Sequence, residues 1–306
     1  MTLKIKNKNI LTLDALDSKE IEHLLDLGIE LKKEEKKGHH KPILENKTLA
    51  MIFEKPSTRT RVSFEVGMLQ LGGHAITLSS DNLQMSRGET VSDTAKTLSR
   101  YVDVIMARVY DHDALEEFSK HSSIPVINGL SDLYHPCQIL ADFMTIKEHK
   151  KNLKKIKIAW IGDGNNVCNS LILGCSKLKT RISVATPDGF EPSNVVVSTA
   201  KLHTDIEITN DPTNAVEDAD VVMTDTFVSI HNTDKDRLSK FLPKFQVNSD
   251  LMKNAKKDAI FLHCLPAKRD QEVTNDVIDG PQSVIWDEAE NRLHVQKALL
   301  VSLLNV

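Results

Sequence analysis

The sequence predicts an α/β chain: two doubly wound domains, each with a central parallel sheet flanked by helices, plus a C-terminal helix that returns to the first domain. Three observations carry this. Short β-rich runs alternate with helical stretches from Thr48 onward, the pattern of parallel strands joined by crossover helices. The alternation pauses at a Lys-rich stretch, 147–157, which reads as a hinge, and then restarts. The length of 306 residues also suits two domains of ~150 residues each.

Asp17 with Glu20 three residues on resembles a capping box, and Ile21, Leu24, Leu25 and Leu31 recur with helical spacing until Gly38 closes the segment. The charge run that follows contains His39 and His40, which read as a solvated turn rather than a metal site. Strands are expected at 48–53, 75–79, 104–109 and 125–128, with helices at 58–71, 91–101 and 136–150. In the second domain the strands are 156–161, 182–186, 206–209, 221–224 and 259–263. A last amphipathic helix covers 288–304 through Ala289, Leu293, Leu300 and Leu303. The expected domains are therefore 1–148, joined by 288–306, and 149–287.

With 39 Lys and Arg against 43 Asp and Glu the net charge is −4, which argues against a nucleic-acid partner. At 40% hydrophobic and 27% charged residues the composition is ordinary for a folded chain. The longest apolar runs, 49–53 and 298–301, fall far short of the ~20 residues of a membrane span, so no membrane partner is expected. The first nine residues have neither a secretory nor a transit pattern, and a cytoplasmic location is the expectation. Cys137, Cys168, Cys175 and Cys264 form no C-x-x-C pair and are expected as reduced thiols.

In open parallel sheets ligands sit beyond the carboxyl ends of strands, so the residues after each strand matter most. After 48–53 comes Ser57-Thr58-Arg59-Thr60-Arg61 at a helix start. Its free N–H groups, three hydroxyls and two guanidiniums can converge on a compact dianion such as phosphate. The blander alternative is a helix cap with two surface arginines. His135-Pro136-Cys137-Gln138 opens another helix, and its His and Gln, three apart, can point at one acceptor oxygen. Arg108 ends an otherwise apolar strand. Gly162-Asp163-Gly164-Asn165-Asn166 is an incomplete dinucleotide fingerprint, with Val167 where a third Gly belongs; Asn165 and Asn166 there could hold a carboxylate. Asp225 and Cys264, each following a strand of the second domain, could orient an amine, although a buried inert Cys is the commoner case. Arg292, near the start of the last helix, would be unremarkable if exposed.

Taken in order, these residues resemble the carbamoyltransferases, and within them the ornithine branch, along nearly the whole chain. The matching stretches are Ser57 to Arg61, Gln84 to Glu89, His135 to Gln138, Gly162 to Asn166, Asp225 to Ser229, His263-Cys264-Leu265-Pro266 and Glu288 to Arg292. Ser-Thr-Arg-Thr marks users of carbamoyl phosphate, and His-Cys-Leu-Pro marks the ornithine branch. The resemblance implies that Ser57, Thr58, Arg59 and Thr60 hold the phosphate, with Gln84 reaching in from a neighbouring subunit. It implies that Arg108, His135, Pro136, Cys137 and Gln138 grip the carbamoyl group, completed by Cys264, Leu265 and Arg292. Ornithine would be held by Asn166, Asp225, Ser229 and the backbone of Ile230. Arg59, Arg108, His135, Gln138, Asp225 and Cys264 would carry the catalysis, without cofactor or metal, in a homotrimer with sites at subunit interfaces. The first domain would then bind carbamoyl phosphate and the second ornithine.

One departure stands out. The family usually reads Asp-x-Trp-x-Ser-Met-Gly where this chain has Asp225-Thr226-Phe227-Val228-Ser229-Ile230-His231, so the loop and its amine specificity could differ. Putrescine or an acylated ornithine is the nearest alternative acceptor. Aspartate fits the acidic Asp225 poorly, and a nicotinamide-dependent oxidoreductase rests only on the incomplete glycine pattern at Gly162.

Overall fold

The computed structural model describes residues 5–39, 41–79, 83–228 and 236–304. His40, Ser229, Ile230 and His231, all discussed above, lie outside the described residues. The chain divides into two units, 1–144 with 290–306, and 145–289. No helix of the described residues is long and apolar enough to cross a membrane.

The first unit runs α1 (Ser18–Lys36), β1 (Thr48–Phe53), α2 (Thr58–Gln70), β2 (His74–Ser79), α3 (Val91–Leu98), β3 (Val104–Arg108), α4 (His112–His121), β4 (Val126–Leu130) and the start of α5 (Pro136–Lys150). Its strands form a parallel sheet in the order β2-β1-β3-β4. The capping box at α1 is present. The Asp17 carboxylate accepts from the Glu20 N–H at 2.9 Å, and the Glu20 carboxylate accepts from the Asp17 N–H at 2.8 Å. The periodic residues Ile21, Leu24 and Leu25 are buried as expected.

Helix α4 was not anticipated. Its apolar residues Leu115 and Phe118 are set among charges, yet they cover Ala50, Ile52, Ile105, Ala107 and Val126 on one sheet face. The 147–157 stretch read as a hinge carries the expected end of the 136–150 helix. Helix α5 continues to Lys150, and Leu153–Lys155 is a single turn of tight helix. Both long connections are helical, and the unit divisions fall inside α5 and inside the last helix.

The second unit runs β5 (Lys157–Ile161), α6 (Asn166–Leu178), β6 (Arg181–Ala185), α7 (Asn194–Ala200), β7 (Ile206–Thr209), α8 (Pro212–Val216), β8 (Val221–Thr224), α9 (Leu238–Phe241), α10 (Ser249–Met252), β9 (Ile260–His263), α11 (Asn275–Ile278) and the start of α12 (Ile285–Leu304). Helix α12 begins three residues before the expected start at 288. The five strands are parallel in the order β7-β6-β5-β8-β9. Phe227 stacks on Phe241 at 4.5 Å within the core that Ala159, Ile161, Val222 and Phe261 line.

Strand order reverses once in each sheet, between β1 and β3 and between β5 and β8. Chain leaving neighbouring strands at such a point diverges to opposite faces and opens a crevice at the carboxyl ends. At or just beyond the ends of these four strands stand Ser57 to Thr60, Arg108, Asp163 and Asp225.

The glycine pattern after β5 has a packing reason. Gly162 has φ +126°, and a Cβ there would lie 2.7 Å from the Phe227 ring; one on Gly164 would lie 2.2 Å from the Pro192 backbone nitrogen. Gly162→Ala is therefore expected to cost about 2–5 kcal/mol from backbone strain and overpacking. Urea unfolding checks this, and a loss below 1 kcal/mol would show that the turn relaxes freely.

Candidate active site

In the first unit the polar residues converge on the start of α2. Ser57 caps the helix, its hydroxyl accepting from the Thr60 N–H at 3.4 Å and donating to Thr60 Oγ1 at 3.1 Å. Arg292, only 4% exposed, donates from Nη2 to the same Thr60 Oγ1 at 2.9 Å and from Nη1 to Gln138 Oε1 at 2.7 Å. Thr60 Oγ1 thus accepts twice and can act toward a ligand only as a donor. Gln138 in turn donates from Nε2 to Asp142 Oδ1 at 2.8 Å. This fixes which end of its amide faces Arg292. The first-turn N–H groups of α2 have no acceptor within their own helix and sit at its positive end.

His135 is buried just before α5. Burial, followed by the charges of Arg292, Arg108 and Arg59, holds its imidazole well below the usual histidine range. It is therefore neutral at neutral pH, a group able to hydrogen-bond without carrying charge. Three guanidiniums therefore act on one ring. Arg61 does not join this group: its Nε pairs with Glu65 Oε1 at 2.9 Å, and Thr77 also donates to Glu65. Two positions from Arg59 on a helix, it points to the opposite side. Arg292, which the resemblance places with the carbamoyl group and which would have been unremarkable on the surface, is an interior guanidinium. The Cys137 thiol is 1% exposed and directed at the Asn128 carbonyl at 3.4 Å, and burial pushes it up to about 12. Its thiol therefore lies in the interior. Gln84 is exposed on the short turn Gln84–Arg87.

In the second unit Asp225 follows β8, and its carboxylate collects three neutral donors. Asn165 Nδ2 lies 2.8 Å from Oδ2, and the Thr226 N–H and the Cys264 thiol lie 2.7 and 3.2 Å from Oδ1. Asn165 is also the cap of α6, its Oδ1 accepting from Val167 and Cys168, so one amide both starts the helix and orients the carboxylate. Asn166 is buried in the first turn beside it. Cys264 is half-buried, on a short segment fixed by His263. The Leu265 N–H donates to His263 Nδ1 at 2.9 Å, so the ring proton is on Nε2, which donates to Glu272 at 3.1 Å; the His263 N–H donates to Glu288 at 2.8 Å. Leu265 itself has a left-handed φ of 56°. Asp225, His263 and Cys264 bring a carboxylate oxygen, a ring nitrogen and a sulfur within 4.8 Å of one another, the sole such grouping found among the described residues. All three side chains are engaged with protein partners.

Sequence reasoning overlooked Asp142, Glu272, Asp163 and Arg237 as supports. Asp142 stands four residues after Gln138 on α5, a helical-neighbour spacing that could have been read. Asp163 was quoted only as part of a glycine pattern, and Arg237 has no local signal.

Residues 8–148 match the family model described as the carbamoyl-P binding domain of aspartate/ornithine carbamoyltransferase, and residues 154–303 match its Asp/Orn binding domain. An ornithine carbamoyltransferase of Cenarchaeum symbiosum is 59% identical over 301 residues, covering 98% of this chain and 99% of that protein. The solved ornithine carbamoyltransferase of Pyrococcus furiosus superposes with a TM-score of 0.93 at 51% identity, covering 98% of this chain and 97% of that one. The anabolic ornithine carbamoyltransferase of Campylobacter jejuni does so with 0.91 at 44% identity, covering 98% and 99%.

Proposed function

Because the chain belongs to the aspartate/ornithine carbamoyltransferase family, we propose that it transfers the carbamoyl group of carbamoyl phosphate to the δ-amine of L-ornithine, giving L-citrulline and phosphate for arginine biosynthesis in the cytoplasm. One observation carries the choice of acceptor. The hydrogen bonds that Asp225 receives among the described residues all come from neutral groups, so its charge is available to an ammonium and repels the second carboxylate of aspartate.

Ser57, Thr58, Arg59 and Thr60 hold the phosphate, and Arg108, neutral His135, Gln138 and Arg292 act on the carbamoyl group as donors and holders. Asn166, Asp225, Ser229 and Ile230 hold ornithine, with Cys264 orienting the amine. Only a neutral amine attacks. From a Lys-like value of ~10.4, neutralisation at pH 7 costs about 4–5 kcal/mol, which desolvation and nearby cations must offset. The amine nitrogen forms a bond to the carbamoyl carbon, whose oxygen becomes an oxyanion stabilised by the guanidinium and imidazole donors. Collapse breaks the bond to the phosphate oxygen, and the departing phosphate takes the amine proton.

The deciding experiment offers ornithine, putrescine, N-acetylornithine and aspartate in parallel with carbamoyl phosphate. Ornithine is expected to exceed each of the others at least about a hundredfold in kcat/KM, the scale of losing one charged contact. Equal use of any other amine overturns the assignment. Cys264→Ala is expected to weaken ornithine use about tenfold and to leave carbamoyl phosphate affinity within twofold, about the value of one hydrogen bond to a charged group. Unchanged ornithine kinetics would remove the thiol from the site.

The same reading includes a homotrimer. Val62 and Leu69 on α2 and Ile76 on the edge strand β2 are 49%, 73% and 48% exposed, an apolar surface suited to a second copy of the chain. Light scattering should give the mass of three chains, and Leu69→Glu should reduce it; an unaltered single-chain mass for both proteins excludes the assembly.

A further inference from the structure

Two carboxylates stand at the strand reversal of the second sheet, Asp163 after β5 and Asp225 after β8, and they are treated oppositely. Asp225 meets neutral donors only. Asp163, 9% exposed, is ion-paired with Arg237, whose side chain is itself almost wholly covered. Arg237 is held on every side: its Nε donates to the Phe227 carbonyl at 2.8 Å, and its guanidinium lies 4.6 Å from the Phe190 ring and 5.4 Å from the Phe241 ring. Asp163 is held too, by the indole N–H of Trp160 donating to its carbonyl at 2.9 Å. A buried ion pair stabilises a fold poorly compared with apolar side chains of the same size. The transfer described above makes no use of this one.

We propose that Arg237 is a positioning residue for charge: by compensating Asp163 it leaves Asp225 as the single uncompensated carboxylate at the amine end of the site, and so sets how readily bound ornithine gives up its ammonium proton. The inference rests on the ornithine reading and deepens it. The δ-amine must be attracted as a cation yet react as a neutral nucleophile. One carboxylate serves attraction; a second, uncompensated one would hold the proton on the amine and lower the reactive fraction.

Other charged or titratable groups face this region. The Cys264 thiol and the His263 ring come from the end of β9, Glu272 stands behind His263, Cys168 lies on α6, and Lys268 donates to the Val228 carbonyl at 2.9 Å. None of them is paired with Asp163 as Arg237 is. Burial pushes the Asp163 carboxyl up to about 6, while Arg237 pulls it down and Asp225 adds to the rise. Without the guanidinium that carboxyl would be raised further.

The test uses the whole enzyme with both substrates saturating, since the pH dependence of kcat reports ionisations of the bound complex. Wild type, Arg237→Gln, Asp163→Asn and the double variant are compared from pH 6 to 10. Arg237→Gln is expected to move the acid limb to higher pH by about one unit, the usual effect of one nearby charge. Asp163→Asn leaves the guanidinium uncompensated and should move the limb to lower pH. The double variant should return it to the wild-type position. Shifts of opposite sign that cancel are a charge signature that general loosening of the fold does not produce. Two single variants moving the limb the same way, or neither moving it, overturn the proposal. Should Arg237→Gln fail to accumulate folded, Asp163→Asn against the double variant supplies the same comparison. Asp225→Asn separates the two levels. If that variant retains ornithine use, the ornithine reading falls; if it loses it while the pH limbs of the other variants coincide, only the charge assignment falls.

Discussion

Arg292→Lys lowers kcat/KM about a hundred- to a thousandfold in a chain that still folds. The guanidinium spans two acceptors on different helices, Gln138 Oε1 at 2.7 Å and Thr60 Oγ1 at 2.9 Å, from two Nη atoms of one rigid plane. A lysine ammonium is a compact point charge without the fork, so it cannot hold both acceptors in the same spacing. Freed from Arg292, the Gln138 carbonyl and the Thr60 hydroxyl lose the orientation in which, on the proposed function, they would meet carbamoyl phosphate. Losing one preorganised donor costs ~3–4 kcal/mol in the transition state. Steady-state kinetics and thermal unfolding check this together. Turnover within threefold of wild type would remove Arg292 from the machinery; a collapsed melting temperature would assign it to folding instead.

Asp225→Asn abolishes selective use of ornithine, with kcat/KM for the amine falling about a thousandfold and the affinity for carbamoyl phosphate changing less than twofold. The amide keeps the shape of the carboxylate but loses its charge. It also turns one acceptor oxygen into a donor that faces either the Asn165 Nδ2 or the Thr226 N–H and Cys264 thiol, which all donate now. Both changes act on the amine end, and truncating one partner of a close charged pair typically costs 2–5 kcal/mol. Isothermal titration with carbamoyl phosphate, followed by citrulline kinetics, separates the two substrates. An equal loss for both would mean that Asp225 acts through the fold rather than on ornithine.

Much of this was readable from short stretches of chain. The capping box at Asp17 and Glu20, the strand at Thr48–Phe53 and the helix start at Ser57 depend on residues a few positions apart, and the structure holds them where spacing predicts. Where the reading went astray, the deciding contact lay outside the stretch. Helix α4 carries too few apolar residues to announce itself and is made worthwhile by the sheet face that Leu115 and Phe118 cover.

Arginine shows the division between local and distant information most clearly. Arg61 stands inside a motif and turns away to Glu65, whereas Arg292, from the far end of the chain, reaches Thr60 and Gln138. The motifs, the helix caps and the polar residues at strand ends were legible in the linear order, because hydrogen bonds and periodicity within one element involve near neighbours. Which guanidinium turns inward, which of two aspartates is ion-paired, and how a cysteine is aimed were settled by folding. Those outcomes depend on burial and on partners separated by long stretches of chain, brought together by the reversal of strand order in each sheet.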